Sequence, residues 1–280
     1  MKLLRFGPIG NERPGVLDKN GQIRDLSGTI RDFTPEHLSP ESLSRIAALD
    51  PETLPLIPKD TRIGACVPKV GHFIAIGLNY VEHAREADMA IPTEPVVFSK
   101  APSCLSGPYD PVILPQDAAK ADWEVEIAMV IGSPAYQVSE DKALEHVAGF
   151  CICNDVSERS YQIERGGQWI KGKSLPTFGP LGPWLVTRDE IADPQALGLW
   201  LDVNGTRRQT GHTSDMIFPL ARIVSYLSRF MKLEVGDVIT TGTPPGVGMG
   251  AKPPTYLKNG DVMTLGIDQL GEQRQTVQQS

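Results

Sequence analysis

Glu124-Val125-Glu126-Ile127-Ala128-Met129-Val130-Ile131 is the stretch on which the fold turns. From Val125 to Ile131 it is a near-continuous apolar run, short enough for a buried strand. Glu124 and Glu126 lie two apart at its head, so a strand sets both carboxylates on one face. Burying ionised carboxylates without partners is costly, and two together repel. A divalent cation between them reverses that balance, because hard cations such as Mg²⁺ take oxygen ligands. Asp155, just past the apolar run Ala148 to Cys153, is a natural third ligand at a strand end. The same spacing also suits the polar face of an edge strand, so Glu-x-Glu alone leaves both readings open.

Outward from that run, the larger unit begins near Val70. Phe73 to Ile76 reads as a short buried strand, and Gly236-Asp237-Val238-Ile239 opens another. Asn79 with Glu82 three residues on has the form of a capping box, which predicts a short helix from Tyr80 to about Ala87. Leu220, Ile223, Val224, Leu227 and Met231 form the stripe of an amphipathic helix. Thr241 to Gly248 is a loop by composition. Toward the N-terminus, Leu3 to Phe6 and Pro14 to Leu17 are strand candidates. Asp18-Lys19-Asn20-Gly21 is a hairpin signal, because Asn-Gly tolerates the positive φ of a tight turn. A helix near Pro40 to Leu49 and a proline-rich linker at Pro51, Pro55 and Pro58 follow. Residues 1–68 thus read as a small N-terminal α/β domain and residues 69–280 as the main one.

The 51 Gly and Pro residues among 280, with many short apolar runs, point to a strand-rich α+β fold rather than a helix bundle. The net charge of −7 and the lack of any Lys/Arg-rich run argue against a nucleic-acid partner. No stretch is apolar enough to span a membrane, and Met1 to Phe6 reaches charge too soon for a secretion signal. The cysteines, Cys66, Cys104, Cys151 and Cys153, match no common zinc spacing and read as buried free thiols. A reduced, cytoplasmic protein is the expectation.

Two further groups carry potential chemistry. His83 and Glu86 are three apart on the predicted short helix and share a face. A histidine held by a carboxylate can serve as general base toward water, though a solvated surface pair has the same spacing. Lys171 and Lys173 flank Gly172, and a lysine in a site can hold a carboxylate or an oxyanion. Surface lysines in a polar loop look the same in sequence.

Taken in order, these pieces resemble the fumarylacetoacetate hydrolase family from roughly Phe73 to Gly266. Gly77 to Glu86 resembles the family's His–Glu segment. Glu94 to Lys100 looks like the following strand and its lysine. Asp122-Trp123-Glu124-Val125-Glu126 matches the metal-binding Glu-x-Glu. Asn154 to Gln162 resembles the third-ligand segment. Lys173-Ser174 with Thr177 to Pro180 looks like the catalytic lysine segment. Gly236-Asp237 and Thr241 to Pro244 resemble the late strand and the loop that holds a keto-acid carboxylate. The resemblance implies a β-rich mixed-sheet roll with peripheral helices, assembled as a homodimer. It implies Mg²⁺ or Mn²⁺ on Glu124, Glu126 and Asp155, catalysis by His83, Glu86 and Lys173, and substrate contacts from Lys100, Arg159, Gln162 and Thr243. In relatives the His–Glu helix acts as a lid, and with so few apolar residues here, residues 79–92 are expected to order only with ligand.

The implied reaction is cleavage of the C3–C4 bond of a small-molecule 2,4-diketo acid to pyruvate and a small hydroxy acid. The Gly167 to Lys173 run looks most like hydrolases of diketo-deoxy sugar acids. Leu78 stands where some acylpyruvate-cleaving relatives carry Arg, and Pro176 where members often have Asp. Alternatives on the same scaffold are acylpyruvate hydrolysis, oxaloacetate decarboxylation, and dehydration or isomerisation of 2-keto-3-deoxy sugar acids. A non-catalytic keto-acid-binding protein would have no need of the His83–Glu86 pair.

Overall fold

The computed structural model describes residues 1–280. Its spine is an eleven-stranded mixed sheet. The strand Val125–Ile131 lies inside that sheet, antiparallel to both Val147–Asn154 and Val238–Thr240. Every residue of it is buried. Covered on both faces, it has no solvent-facing side, which is why its sequence is apolar apart from Glu126 at the site. Beyond Val238–Thr240 come Phe73–Gly77, in parallel register, and the edge strand Val96–Lys100. On the other flank, Val147–Asn154 pairs with Gly179–Thr187. A second sheet of five strands runs Thr206–His212, Gly198–Val203, Val262–Ile267, Gly271–Gln279, Val112–Leu114. The fold is thus mixed α+β, rich in strand, with few and short helices.

The N-terminal stretch forms the expected hairpin: Arg13–Leu17 pairs with Ile23–Asp25, and Gly21 turns at φ 73°. The strand Lys2–Phe6 then pairs with Gly179–Thr187, placing residues 1–68 in the same sheet as the rest. Leu3, Val16, Leu26 and Phe33 share one apolar core with Val125 and Phe150. The proline-rich segment is tied in as well, since Asp25 N–H donates to Pro55 O and Ile57 N–H to Ile23 O. The helix Pro40–Ala47 is capped by the Ser39 hydroxyl. The helix Leu220–Leu227 buries Leu220, Ile223, Val224 and Leu227, and Met231 packs on the core beyond its end. All four cysteines are buried free thiols.

One local expectation is overturned. Asn79 does not cap the short helix, which runs Val81–Glu86 with no side-chain cap. Its amide instead donates to Phe218 O at 3.1 Å and Thr241 O at 2.8 Å, and its oxygen accepts from Phe218 N–H at 2.8 Å. A buried amide with three long-range partners gains more there than at an exposed helix end. The consequence is positional: Asn79 fixes the chain that joins Phe73–Gly77 to the helix.

Candidate active site

Glu124, Glu126 and Asp155 come together at the end of the central strands, all buried, with ligand oxygens within 4.8 Å of one another. Strand pairing sets this up. The pair Val125↔Asn154 continues past the ladder as Asp155 N–H to Glu124 O at 2.9 Å.

Three cations face the cluster. Lys173 Nζ donates to Glu124 Oε2 at 2.6 Å and to Asp155 Oδ2 at 2.7 Å. Arg159 donates to Glu124 Oε1 at 2.7 Å. Lys100 Nζ donates to Asp155 Oδ1 at 2.6 Å. Burial pushes the Glu124 carboxyl up, but Lys173 and Arg159 outweigh it and hold the group well below the usual carboxylate range. Glu126 differs. Burial, then Asp155 and Glu124, push it well above that range, and its only donor is the Gly242 N–H at 2.8 Å. One of the three carboxylates is therefore left without a cation of its own. Three clustered oxygen donors, one of them unpaired, fit a hard divalent cation.

A short helical turn, Ile170–Lys173, separates the two lysines. Lys171 is exposed and donates to Arg165 O, whereas Lys173 is buried. Gly172 lets this turn sit against the preceding helix, since a Cβ there would lie 2.4 Å from Glu158 O and 2.6 Å from Gln162 Cβ. That close approach drives Lys173 inward.

Lys100, expected to touch substrate, stands behind the site instead. It is fully buried, and its three donors go to Asp155, Lys173 O and Phe178 O. An ammonium group has three N–H bonds, so none is left for a ligand. Burial alone would lower its pKa; Asp155 raises it above the ordinary lysine range. Thr243 lines the cavity, but its hydroxyl donates to Val125 O at 2.9 Å and accepts from Gln209 at 2.7 Å. Its hydroxyl hydrogen is therefore already committed to the main chain, which corrects the expectation that it grips a carboxylate as it stands.

His83 Nδ1 donates to Glu86 Oε1 at 2.9 Å, and the His83 ring is buried. Glu86 in turn accepts from Gly246 N–H at 2.9 Å, which docks the helix on the Thr241–Gly248 loop. His83, Glu124, Glu126, Arg159, Gln162, Lys173 and Thr243 line one cavity of about 250 Å³. On that lining the Arg159 guanidinium also donates to the Gln162 oxygen at 3.0 Å.

Two residues went unnoticed in sequence. Asp122 holds Arg159 Nε at 2.8 Å and also accepts from Gly248 N–H at 2.6 Å and Met249 N–H at 3.0 Å. It ties the loop that receives Glu86 to the arginine that faces Glu124. Gln209, in the second sheet, spans Val125 N–H, Thr243 and Pro244 O. Both signals are long-range bonds. Asp122 lay inside a recognised motif but had no visible partner there.

The chain is similar to known proteins over nearly its whole length. Residues 72–278 match the family model described as fumarylacetoacetate (FAA) hydrolase, C-terminal. A Burkholderia multivorans protein, named provisionally and only as a hydrolase, is 59% identical over 276 residues, covering 98% of each chain. Among solved structures, maleylpyruvate hydrolase from Sphingobium sp. SYK-6, in complex with manganese(II) and pyruvate, superposes with a TM-score of 0.83 at 30% identity over 100% of both chains. A Mycobacterium abscessus protein, provisionally titled a 2-hydroxyhepta-2,4-diene-1,7-dioate isomerase, gives 0.86 at 35% identity over 100% of this chain and 99% of that one.

Proposed function

The chain belongs to the fumarylacetoacetate hydrolase family, and from that premise we propose that it hydrolyses the C3–C4 bond of a 2,4-diketo acid, releasing pyruvate and a second carboxylic acid. The observation that carries this reading is that His83, of a histidine–carboxylate pair, and Glu124 and Glu126, of a three-carboxylate cluster, line one cavity. The fold alone serves hydrolases and isomerases alike, so the choice rests on the site. An isomerase moves a proton within its substrate; a hydrolase must also activate water, and His83 is built for that.

Glu124, Glu126 and Asp155 would hold Mg²⁺ or Mn²⁺; manganese(II) is the ion in the complex of the similar maleylpyruvate hydrolase. When bound, the ion supplies charge stabilisation to the oxygens of the keto-acid head. Glu86 accepts the Nδ1–H of His83 in a hydrogen bond and so leaves Nε2 as the ring's acceptor. Nε2 removes a proton from water, and the resulting hydroxide adds to the C4 carbonyl. The C3–C4 bond breaks with its electron pair going to C3, and a proton returns there to complete pyruvate. Arg159 uses three of its five N–H bonds on Asp122, Gln162 and Glu124, leaving two for the substrate head. Lys173 adds positive charge beside the carboxylates, where it offsets charge that builds on the substrate.

The direct test is a turnover assay with synthetic 2,4-diketo acids, with and without Mg²⁺ or Mn²⁺, following pyruvate. Ion-dependent pyruvate release is expected; no release from any diketo acid contradicts the reading. A homodimer is part of the proposal, and sedimentation at micromolar concentration checks it.

A further inference from the structure

We propose, resting on the reading above, that the group carried by the C4 carbonyl is an apolar alkyl or aryl chain, and that Leu78, Phe98 and Trp169 select it. The cavity is sharply divided. Most of its polar side chains form one bonded group, Arg159 to Gln162 at 3.0 Å, Arg159 to Glu124 at 2.7 Å and Lys173 to Glu124 at 2.6 Å, with His83, Glu126 and Thr243 also on the lining. The other side chains on the lining are apolar, chiefly Ile76, Leu78, Phe98 and Trp169, with Met89 and Ile163. Apart from the indole N–H, nothing among those side chains can bond a hydroxyl. Lys173 Nζ lies 5.4 Å from the Phe98 ring centre, so the aromatic wall begins where the charged group ends.

That wall is built, not incidental. Trp169 lies directly against the main chain of Gly77, where any Cβ would come within 2.3 Å of the indole. Phe98, one strand over, meets Trp169 edge-on with centroids 5.2 Å apart. Leu78 lines the cavity at φ 54°, a left-handed conformation unfavourable for a leucine. The Asn79 clamp holds it there. Strained residues that surrounding bonds hold in place cluster at ligand sites. Met89 and Ile163 are 42% and 49% exposed, apolar surface that a substrate chain would cover.

This replaces the sugar-acid expectation drawn from Gly167 to Lys173. Of the polar side chains in that run, Gln168 and Lys171 are exposed, and Lys173 is engaged with the carboxylates. A polyhydroxylated tail would bury hydroxyls against hydrocarbon, at a loss of roughly tenfold for each one left unbonded.

The test measures kcat/KM of the Mn²⁺-loaded enzyme on 2,4-diketo acids sharing one head and bearing methyl, propyl, pentyl, phenyl or trihydroxypropyl at C4. The expectation is a rise of roughly fourfold per added methylene until the cavity is filled, with trihydroxypropyl at least tenfold below propyl. Trp169→Ala and Leu78→Asn should each cut the pentyl-to-methyl ratio at least tenfold; asparagine accepts the left-handed backbone, so the fold is spared. A flat series, or a preference for trihydroxypropyl, overturns the proposal. No turnover on any member contradicts the hydrolase reading instead. The wall is then judged by calorimetric Kd for simple 2-oxo acids bearing the same tails with Mn²⁺ present: the same rank order supports it, and a flat or reversed order overturns it.

Discussion

The carboxylate cluster and the His83–Glu86 helix face each other across one cavity and are held in opposite ways. Glu124, Glu126 and Asp155 stand at the ends of fully buried strands at the centre of the main sheet, Glu124 and Asp155 held by Lys173, Arg159 and Lys100, and Glu126 by the Gly242 N–H. The helix is six residues long, lacks a side-chain cap, and buries only His83 and Ala84. It is docked chiefly through Glu86 on the main chain of Gly246. A helix this short has little stability of its own. The floor is thus held by many buried partners, and the helix by a few polar bonds. On the proposed reading the tasks separate: the floor would hold the ion and the substrate head, and the helix would deliver proton transfer.

The largest effect should come from attacking the floor. Chelation should abolish turnover, and Mg²⁺ or Mn²⁺ should restore it. Glu126→Gln should weaken Mn²⁺ binding by two orders of magnitude or more, because the amide replaces a charged ligand with a neutral one. Calorimetry reads this, and undiminished affinity would remove Glu126 from the ion site.

A middle effect falls on the join between the two regions. Asp122 bonds both Arg159 and the 248–249 main chain, next to the residues that receive Glu86. Asp122→Asn should lower kcat/KM by roughly 10- to 100-fold, in line with losses from displaced positioning groups, while Mn²⁺ affinity changes much less. An equal loss of both would place Asp122 in the floor alone.

Smaller still is the response to pH. The raised pKa of Glu126 means it keeps its proton at a pH where an ordinary glutamate has lost it. An ion must displace that proton, so affinity should fall by up to about tenfold per unit as pH drops below that pKa. Proton release measured in two buffers of different ionisation enthalpy checks the coupling; none should be seen if Glu126 is already ionised. The smallest signal is dynamic. Amides of residues 79–92 should exchange faster than those of Val125–Ile131, and slow when pyruvate and Mn²⁺ are added. Equal protection in both states would make the helix as fixed as the floor.

The two regions were also unequally legible in sequence. The strand Val125–Ile131 is legible to its ends because its burial on both faces leaves a run that is apolar but for Glu126. The face shared by Glu124 and Glu126 follows from strand periodicity alone. Lys173 could be told from Lys171 only by family resemblance, because the inward turn depends on Gly172 packing on Glu158 and Gln162. The role of Asn79 is hidden in the sequence, since its partners, Phe218 and Thr241, lie more than a hundred residues away. Lys100 and Thr243 had the right neighbourhood, but the bonds that occupy them appear only when the chain is folded. Likewise, nothing local in Leu3 announces its pairing with Leu185.

The division of labour is tested most directly by His83→Ala, with Mn²⁺ affinity and diketo-acid hydrolysis measured on the same preparation. The account predicts turnover lower by about two to four orders of magnitude, the usual worth of a general base, with Mn²⁺ affinity within a few-fold of the parent. A variant that loses the ion along with its activity would put His83 among the ligands and contradict the account.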